Sequence, residues 1–193
     1  TKCMDDALTA AKFHDFKARQ KAAKEGGRLI GMGMANFVKG TGRGPVEMVT
    51  VRIGSSGKIA VHTGGTDIGQ GHKTMLAQIV GEQFGGDMDN VVVTDGDTTA
   101  TSLGIGTSNS RLACMAGSSA HVAALKVREK ALKAAANLLE ASEDDLEIVD
   151  GEIRVVGVPN LRVSLGQIAK SVAGTPGYAL PGGIEPGMEA TET

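Results

Sequence analysis

The chain has 193 residues, with 20 Lys and Arg against 22 Asp and Glu, for a formal net charge of −2. With a pI near 6.1 it offers no basic stripe for nucleic acid, and no apolar run approaches the roughly 18 residues of a membrane span. Hydrophobic residues at 41% allow a real core, yet aromatic residues are only 3% and glycines number 28. Glycine in such excess points to backbone packed closely against a ligand or the rest of a larger protein, or else to a loop-rich domain.

In chain order, residues 4–25 read as one helix, ended by Gly26-Gly27 as a C-terminal cap. Asp5, Asp6, Lys12 and His14 interrupt any signal-peptide pattern there. Cys3 and Cys114, far apart in a chain without a secretory signal, point to reduced thiols and a cytoplasmic setting. The run Arg28 to Val38 reads as a buried strand. Its Gly31-x-Gly33 does not open a helix, which argues against a dinucleotide fingerprint. The first domain expected is thus a helical segment, 1–27, and the second is 28–193.

Val49, Val51 and Ile53, then Ile59 and Val61, alternate with polar residues around Gly54-Ser55-Ser56-Gly57, which predicts a hairpin. Met75, Leu76, Ile79, Val80 and Phe84 predict a helix, and Val91 to Val93 a short buried strand. A long helix is expected from about Leu112 to Ala141, with Leu125, Leu132 and Leu139, beside Val122 and Ala136, as its apolar face. Small residues in its first half would let another backbone approach. Ser142-x-x-Asp145 resembles an N-cap signal, Asp150-Gly151 the turn of a second hairpin, and Ser164-x-x-Gln167 a capping box. Residues 174–193 are Gly- and Pro-rich and contain little to close a core, as in a cut fragment. The fold class is α+β, a mixed sheet with hairpins and packed helices.

Two segments carry chemistry. Gly64-Gly65-Thr66-Asp67-Ile68-Gly69-Gln70-Gly71 lies between a strand and a helix, where glycines let N–H groups converge on an anion. Gln70 adds an amide that both donates and accepts. Gly104 to Arg111 gathers hydroxyls, an amide and a guanidinium at the start of the long helix, suited to phosphate. An unliganded glycine connection and an ordinary capped loop are the competing readings. His72 is either a cofactor neighbour or a solvated helix-start histidine; Glu82 and Asp95 read as surface charges. His14, His62 and His121 have no ligand spacing with one another or with the cysteines, so no zinc site is expected.

The run from Gly64 to Thr74, followed by Gln78, resembles the Gly-Gln-Gly segment of molybdenum hydroxylase large subunits, the xanthine dehydrogenase, aldehyde oxidase and aerobic carbon monoxide dehydrogenase family. Asp97-Thr98 with Gly106 to Arg111 resembles that family's next cofactor loop, and Leu146 to Ile153 and Leu180 to Gly187 are similar to it at like spacing. The resemblance implies a molybdopterin-binding portion of an oxidoreductase that hydroxylates or oxidises an aldehyde, a purine or other N-heterocycle, or carbon monoxide with water-derived oxygen.

It further implies that Gly69, Gln70 and Gly71 contact the pterin or the ligands of its metal, and that Thr107, Ser108, Ser110 and Arg111 hold phosphate or a nucleotide extension. The cofactor would be molybdopterin with molybdenum, in the cytosine dinucleotide form. Iron–sulfur and FAD groups would lie on other domains or subunits. The family's glycine-phenylalanine-glycine-glycine segment, its Gly-Glu segment with the base glutamate and ferredoxin-type cysteines are not found. The expected partners are therefore the remainder of the large subunit, iron–sulfur and flavin subunits and a small-molecule substrate. A non-enzymatic nucleotide- or phosphate-binding module, or a structural part of a multi-subunit assembly, is the alternative.

Overall fold

The computed structural model describes residues 2–174, 176, 179–180 and 183–193. The chain divides into two compact units, Thr1–Lys39 and Gly40–Thr193, so the expected boundary at 27/28 falls inside the first. That unit contains α1 (Lys2–Ala10) and α2 (Phe16–Glu25), with one 3-10 turn between them. The single helix expected here is broken at Lys12, which takes left-handed backbone angles. The Arg19 guanidinium crosses the break and donates to the carbonyls of Ala11 and Lys12. The helix end was legible: Gly27 has φ +78, and the Arg28 N–H returns to the Ala23 carbonyl, a Schellman closure. Arg28 to Val38 is not the buried strand expected. It has no ladder partner among the described residues, and Leu29, Phe37 and Val38 are exposed.

The second unit is built on a four-stranded sheet of β1 (Val49–Ile53), β2 (Ile59–Thr63), β3 (Val91–Asp95) and β7 (Glu189–Glu192), in the order β3-β2-β1-β7. Strands β1 (Val49–Ile53) and β2 (Ile59–Thr63) form the predicted hairpin, with Val51 opposite Val61. The chain then enters α3 (His72–Glu82) and returns as β3 (Val91–Asp95), parallel to β2. This β-α-β unit places the Gly64–Gly71 connection at the C-terminal end of β2, where open sheets commonly present ligand loops. The long α4 (Leu112–Leu139) packs on α3, β1 and β7, and α5 (Leu165–Ser171) packs on α4.

The apolar face of α4 differs from the expected one. Leu125 and Val122 are exposed, while Ala116, Ala120, Ala123, Ala124, Val127, Ala131, Ala134 and Ala135 are buried. Alanine brings the helix axis close to the sheet, where a leucine row would hold it off. Leu132 and Leu139 only flank this stripe.

A second sheet, β4-β5-β6, follows: β4 (Leu146–Val149), β5 (Glu152–Val155) and β6 (Val158–Ser164). Asp150 and Gly151 both have positive φ, as the tight β4–β5 turn requires. The capping box is present in both directions between Ser164 and Gln167, whereas Ser142 makes no side-chain cap. The end of the chain does close the core. Strand β7 (Glu189–Glu192) pairs antiparallel with β1, and Met188 is buried beside it. Of the Leu180–Gly187 motif, Pro181 and Gly182 lie outside the described residues. No helix among the described residues is long and apolar enough to cross a membrane.

Candidate functional site

Both chemically suggestive segments open onto one cleft of about 760 Å³. Ile68, Gly69, Gln70, His72 and Met75 line one side, and Thr107 to Ala113 the other. The β-α-β turn supplies the first wall and the start of α4 the second. The two walls touch through their backbones: a Cβ built on Gly64 would lie 2.7 Å from the Gly104 Cα. No side chain fits at that crossing. Gly65 has a packing role too, since a Cβ built on it would lie 2.4 Å from Leu112 Cδ1. Gly69 and Gly71 differ. Their φ values are +104 and +79, and open space lies where a Cβ would project.

The first loop is bound up by its own carboxylate. Asp67 accepts from the N–H groups of Gly69 at 2.9 Å, Gly71 at 3.3 Å and Lys73 at 3.2 Å. A protein anion therefore holds N–H groups that the sequence had offered to a ligand phosphate. The Gly69 N–H, followed by that of Lys73, holds the Asp67 carboxyl below the ordinary aspartate value. Asp95 anchors this turn in its place, accepting from the Asp67 N–H at 2.6 Å and pairing with Lys73 at 3.0 Å. Burial opposes its ionisation, but those bonds outweigh burial and lower its pKa. Asp95 is thus a loop anchor, not the surface charge expected.

Gln70 is exposed on the cleft with its amide folded onto its own loop. Its Oε1 accepts from the Ile68 N–H at 2.7 Å, and its Nε2 donates to the Thr66 carbonyl at 2.9 Å and lies 2.7 Å from His72 Nδ1. Thr107 reaches across to the same Thr66. Ser108, Asn109 and Ser110 are exposed on the cleft, and Asn109 and Ser110 both have φ +49. Helix α4 starts without a side-chain cap.

Arg111 does not take the place expected of a phosphate ligand. It is 1% exposed, and its guanidinium is spent inside the protein, on Glu47 and on the carbonyls of Arg43, Val46 and Gly106. It is the one Lys or Arg among the described residues lining the cleft, so neutral donors and a helix start face the space. No group of three or more His, Cys, Asp or Glu among the described residues could hold a metal ion. Two important residues were missed. Asp67 was readable from Asp-x-Gly-x-Gly ahead of a helix. Glu47 stands in phase with Val49, Val51 and Ile53, which marks it as inward-facing.

The family model of the molybdopterin cofactor-binding domain matches residues 6–193. The chain belongs to that family. Subunit gamma of the 6-hydroxypseudooxynicotine dehydrogenase complex of Paenarthrobacter nicotinovorans is 36% identical over 189 residues, covering 98% of this chain and 23% of the relative. The carbon monoxide dehydrogenase large chain of Afipia carboxidovorans is 31% identical, covering 97% and 25%. The structure of quinoline 2-oxidoreductase from Pseudomonas putida 86 superposes with a TM-score of 0.67 at 33% identity, over 95% of this chain and 25% of that one. The chain spans about a quarter of the length of the curated relatives it matches. None of the relatives named here is a stand-alone nucleotide-binding module.

The described residues fit the cofactor this family binds. The cleft presents open space beyond Gly69, hydroxyls at Ser108 and Ser110, and an α4 start without a side-chain cap. An elongated polar group with an anionic end matches that donor set.

Proposed function

We propose that this molybdopterin-binding chain forms one wall of the cofactor site in an oxidoreductase that hydroxylates or oxidises a small substrate. An aldehyde, a purine or other N-heterocycle, or carbon monoxide is the substrate class, with oxygen derived from water. The observation that carries the reading is the convergence of the Ile68–Gln70 and Thr107–Ser110 segments on one cleft. The relatives' names, which include nicotine 6-hydroxylase and xanthine dehydrogenase, support the reaction class.

In this reading Gly69 and Gly71 let the ligand approach the backbone closely, and Gln70, held on its own loop, presents the exposed side of its amide to it. Thr107, Ser108 and Ser110 face the phosphate or nucleotide end. Arg111 acts from behind, shaping their loop. A molybdenum–pterin group supplies two-electron redox chemistry when bound. The cofactor is taken to be the cytosine dinucleotide form. Its case now rests on the α4 side alone, because Asp67 holds the α3 turn. Iron–sulfur and flavin groups belong to other domains or subunits, in a cytoplasmic complex with the rest of the large subunit.

The test is metal analysis of the complete native complex, with acid release of the cofactor and mass spectrometry. Molybdenum with a cytidine-bearing pterin is expected. A complex without molybdenum would overturn the assignment, and a plain pterin monophosphate would overturn the dinucleotide form alone.

A further inference from the structure

We infer that Glu47 is a positioning residue for the cleft, acting through Arg111 on the Gly104–Ser110 loop and through Thr107 on Thr66 and Gln70. Glu47 lies just before β1, away from the cleft lining, and is 0% exposed. A buried ion pair seldom adds more stability than apolar side chains of the same volume. Stability alone therefore does not account for a carboxylate and a guanidinium here.

What the pair does is gather backbone. Arg111 donates to the carbonyls of Arg43 at 3.1 Å, of Gly106 at 3.0 Å and of Val46, as well as to Glu47 Oε2. The same Oε2 accepts from the Ile105 N–H at 3.3 Å. One buried pair thus ties the carbonyls of Arg43 and Val46 to the Ile105 N–H and the Gly106 carbonyl, at the residue that opens α4. The other oxygen, Oε1, has no hydrogen-bond partner. It sits under the crossing of the two cleft loops, where a Cβ on either Gly64 or Gly104 would meet it at 2.9 Å.

The remaining links run along the surface of the cleft. Gly106 leads into Thr107, whose hydroxyl donates to the Thr66 carbonyl and accepts from the Thr66 N–H. That carbonyl also accepts from Gln70 Nε2. The place of the Gln70 amide is therefore set in part from Glu47, through groups of two loops and a helix start. A contiguous network of this kind becomes a coupling only when a change at one end is felt at the other.

The consequence for cofactor loading rests on the function proposed above; the linkage between the loops does not. The experiment uses the complete subunit in its native complex, with Glu47→Ala, Glu47→Gln and Thr107→Val. Hydrogen exchange is followed in peptides covering 64–72, 104–111 and the α4 interior, together with molybdenum content and the molybdenum paramagnetic resonance spectrum. In Glu47→Ala, exchange of both loops should rise about tenfold or more while the α4 interior keeps its protection. Glu47→Gln, which retains an acceptor for Arg111 and Ile105, should recover most of that protection. A changed resonance line shape in the folded Glu47→Ala complex, restored toward wild type in Glu47→Gln, is the reading that a general loss of stability would not give.

If Glu47→Ala does not fold, Thr107→Val carries the test. It cuts the link between the two loops and should loosen 64–72 while the α4 interior stays protected. Wild-type exchange of 64–72 in Thr107→Val, or of both loops in Glu47→Ala, would overturn the linkage. Loosened loops with full molybdenum content and an unchanged spectrum would uphold the linkage and overturn the assignment of this cleft to the cofactor.

Discussion

The Thr107 hydroxyl is bonded twice to the backbone of Thr66, donating to its carbonyl at 2.6 Å and accepting from its N–H at 2.9 Å. One side chain in the loop before α4 thereby completes the backbone pairing of a residue in the loop before α3. Thr107→Val keeps the shape of this contact and removes both bonds. Each is worth about 0.5–1.5 kcal/mol net, so a loss of roughly 1–3 kcal/mol is expected, read as a fall of several degrees in Tm. Thr107→Ser retains the hydroxyl and should melt close to wild type. Equal melting of the Val and wild-type proteins would show that the two bonds contribute nothing.

Asp67 gives the first loop a defined response to acid. Its pKa is lowered in the folded protein, first by the Gly69 N–H and then by that of Lys73. Its contribution is therefore fully present above the ordinary aspartate value of about 3.9 and fades as pH falls through the lower folded value. Asp67→Asn should melt below wild type at pH 6, and the gap should close on titration below about pH 4. Thermal melts of both proteins from pH 6 to pH 3 check this. A gap that persists unchanged at the acid end would mean that ionisation of Asp67 is not its source.

Gln70→Ala separates the loop's shape from its contact with a ligand. The amide is exposed and its bonds are local, so stability should fall by no more than about 1 kcal/mol. In the complete subunit, loss of a positioned amide should cost about 2.7–4 kcal/mol of transition-state stabilisation, a rate reduced by roughly 10²–10³. Steady-state rates and melting of the loaded mutant complex provide the measurement. An unaltered rate at full molybdenum content would remove Gln70 from the site.

Much of this architecture was legible because it is written locally. Alternation gave the β1–β2 hairpin, Asp150-Gly151 the β4–β5 turn and Ser164-x-x-Gln167 the cap of α5, since each depends on neighbours in sequence. What escaped depends on distant partners. Strand β7 exists because β1 offers it an edge, and Arg28 to Val38 stays unpaired for lack of one among the described residues. At the site, residue types singled out each of the two loops separately, and the fold brings both to one cleft. They did not reveal that Arg111 turns inward, because the Glu47 that draws it lies 64 positions away.

The buried face of α4 provides a test of that distinction. Ala124 is fully buried and Leu125 is exposed. Ala124→Leu should overpack the helix against its neighbours and cost about 1–3 kcal/mol. Leu125→Ala should stay within roughly 0.5 kcal/mol of wild type. Chemical denaturation of the two variants distinguishes the alanine stripe from a leucine row, which would give the reverse order.

Pairing of β1 with β7 joins residues 49–52 to residues 189–192. As the polypeptide leaves the ribosome, β1 and β2 can form their hairpin early, and β3 can join it once Val91 to Asp95 have emerged. Among the described residues, the outer edge of β1 has no such early companion. Throughout synthesis of α4, the second sheet and α5, it presents unsatisfied N–H and carbonyl groups next to Val49 and Val51, a surface on which another nascent chain can add as a strand. Protein lacking residues 189–192 would keep that edge for its lifetime, so premature termination is a route to insoluble material even when every residue around the cleft has been made.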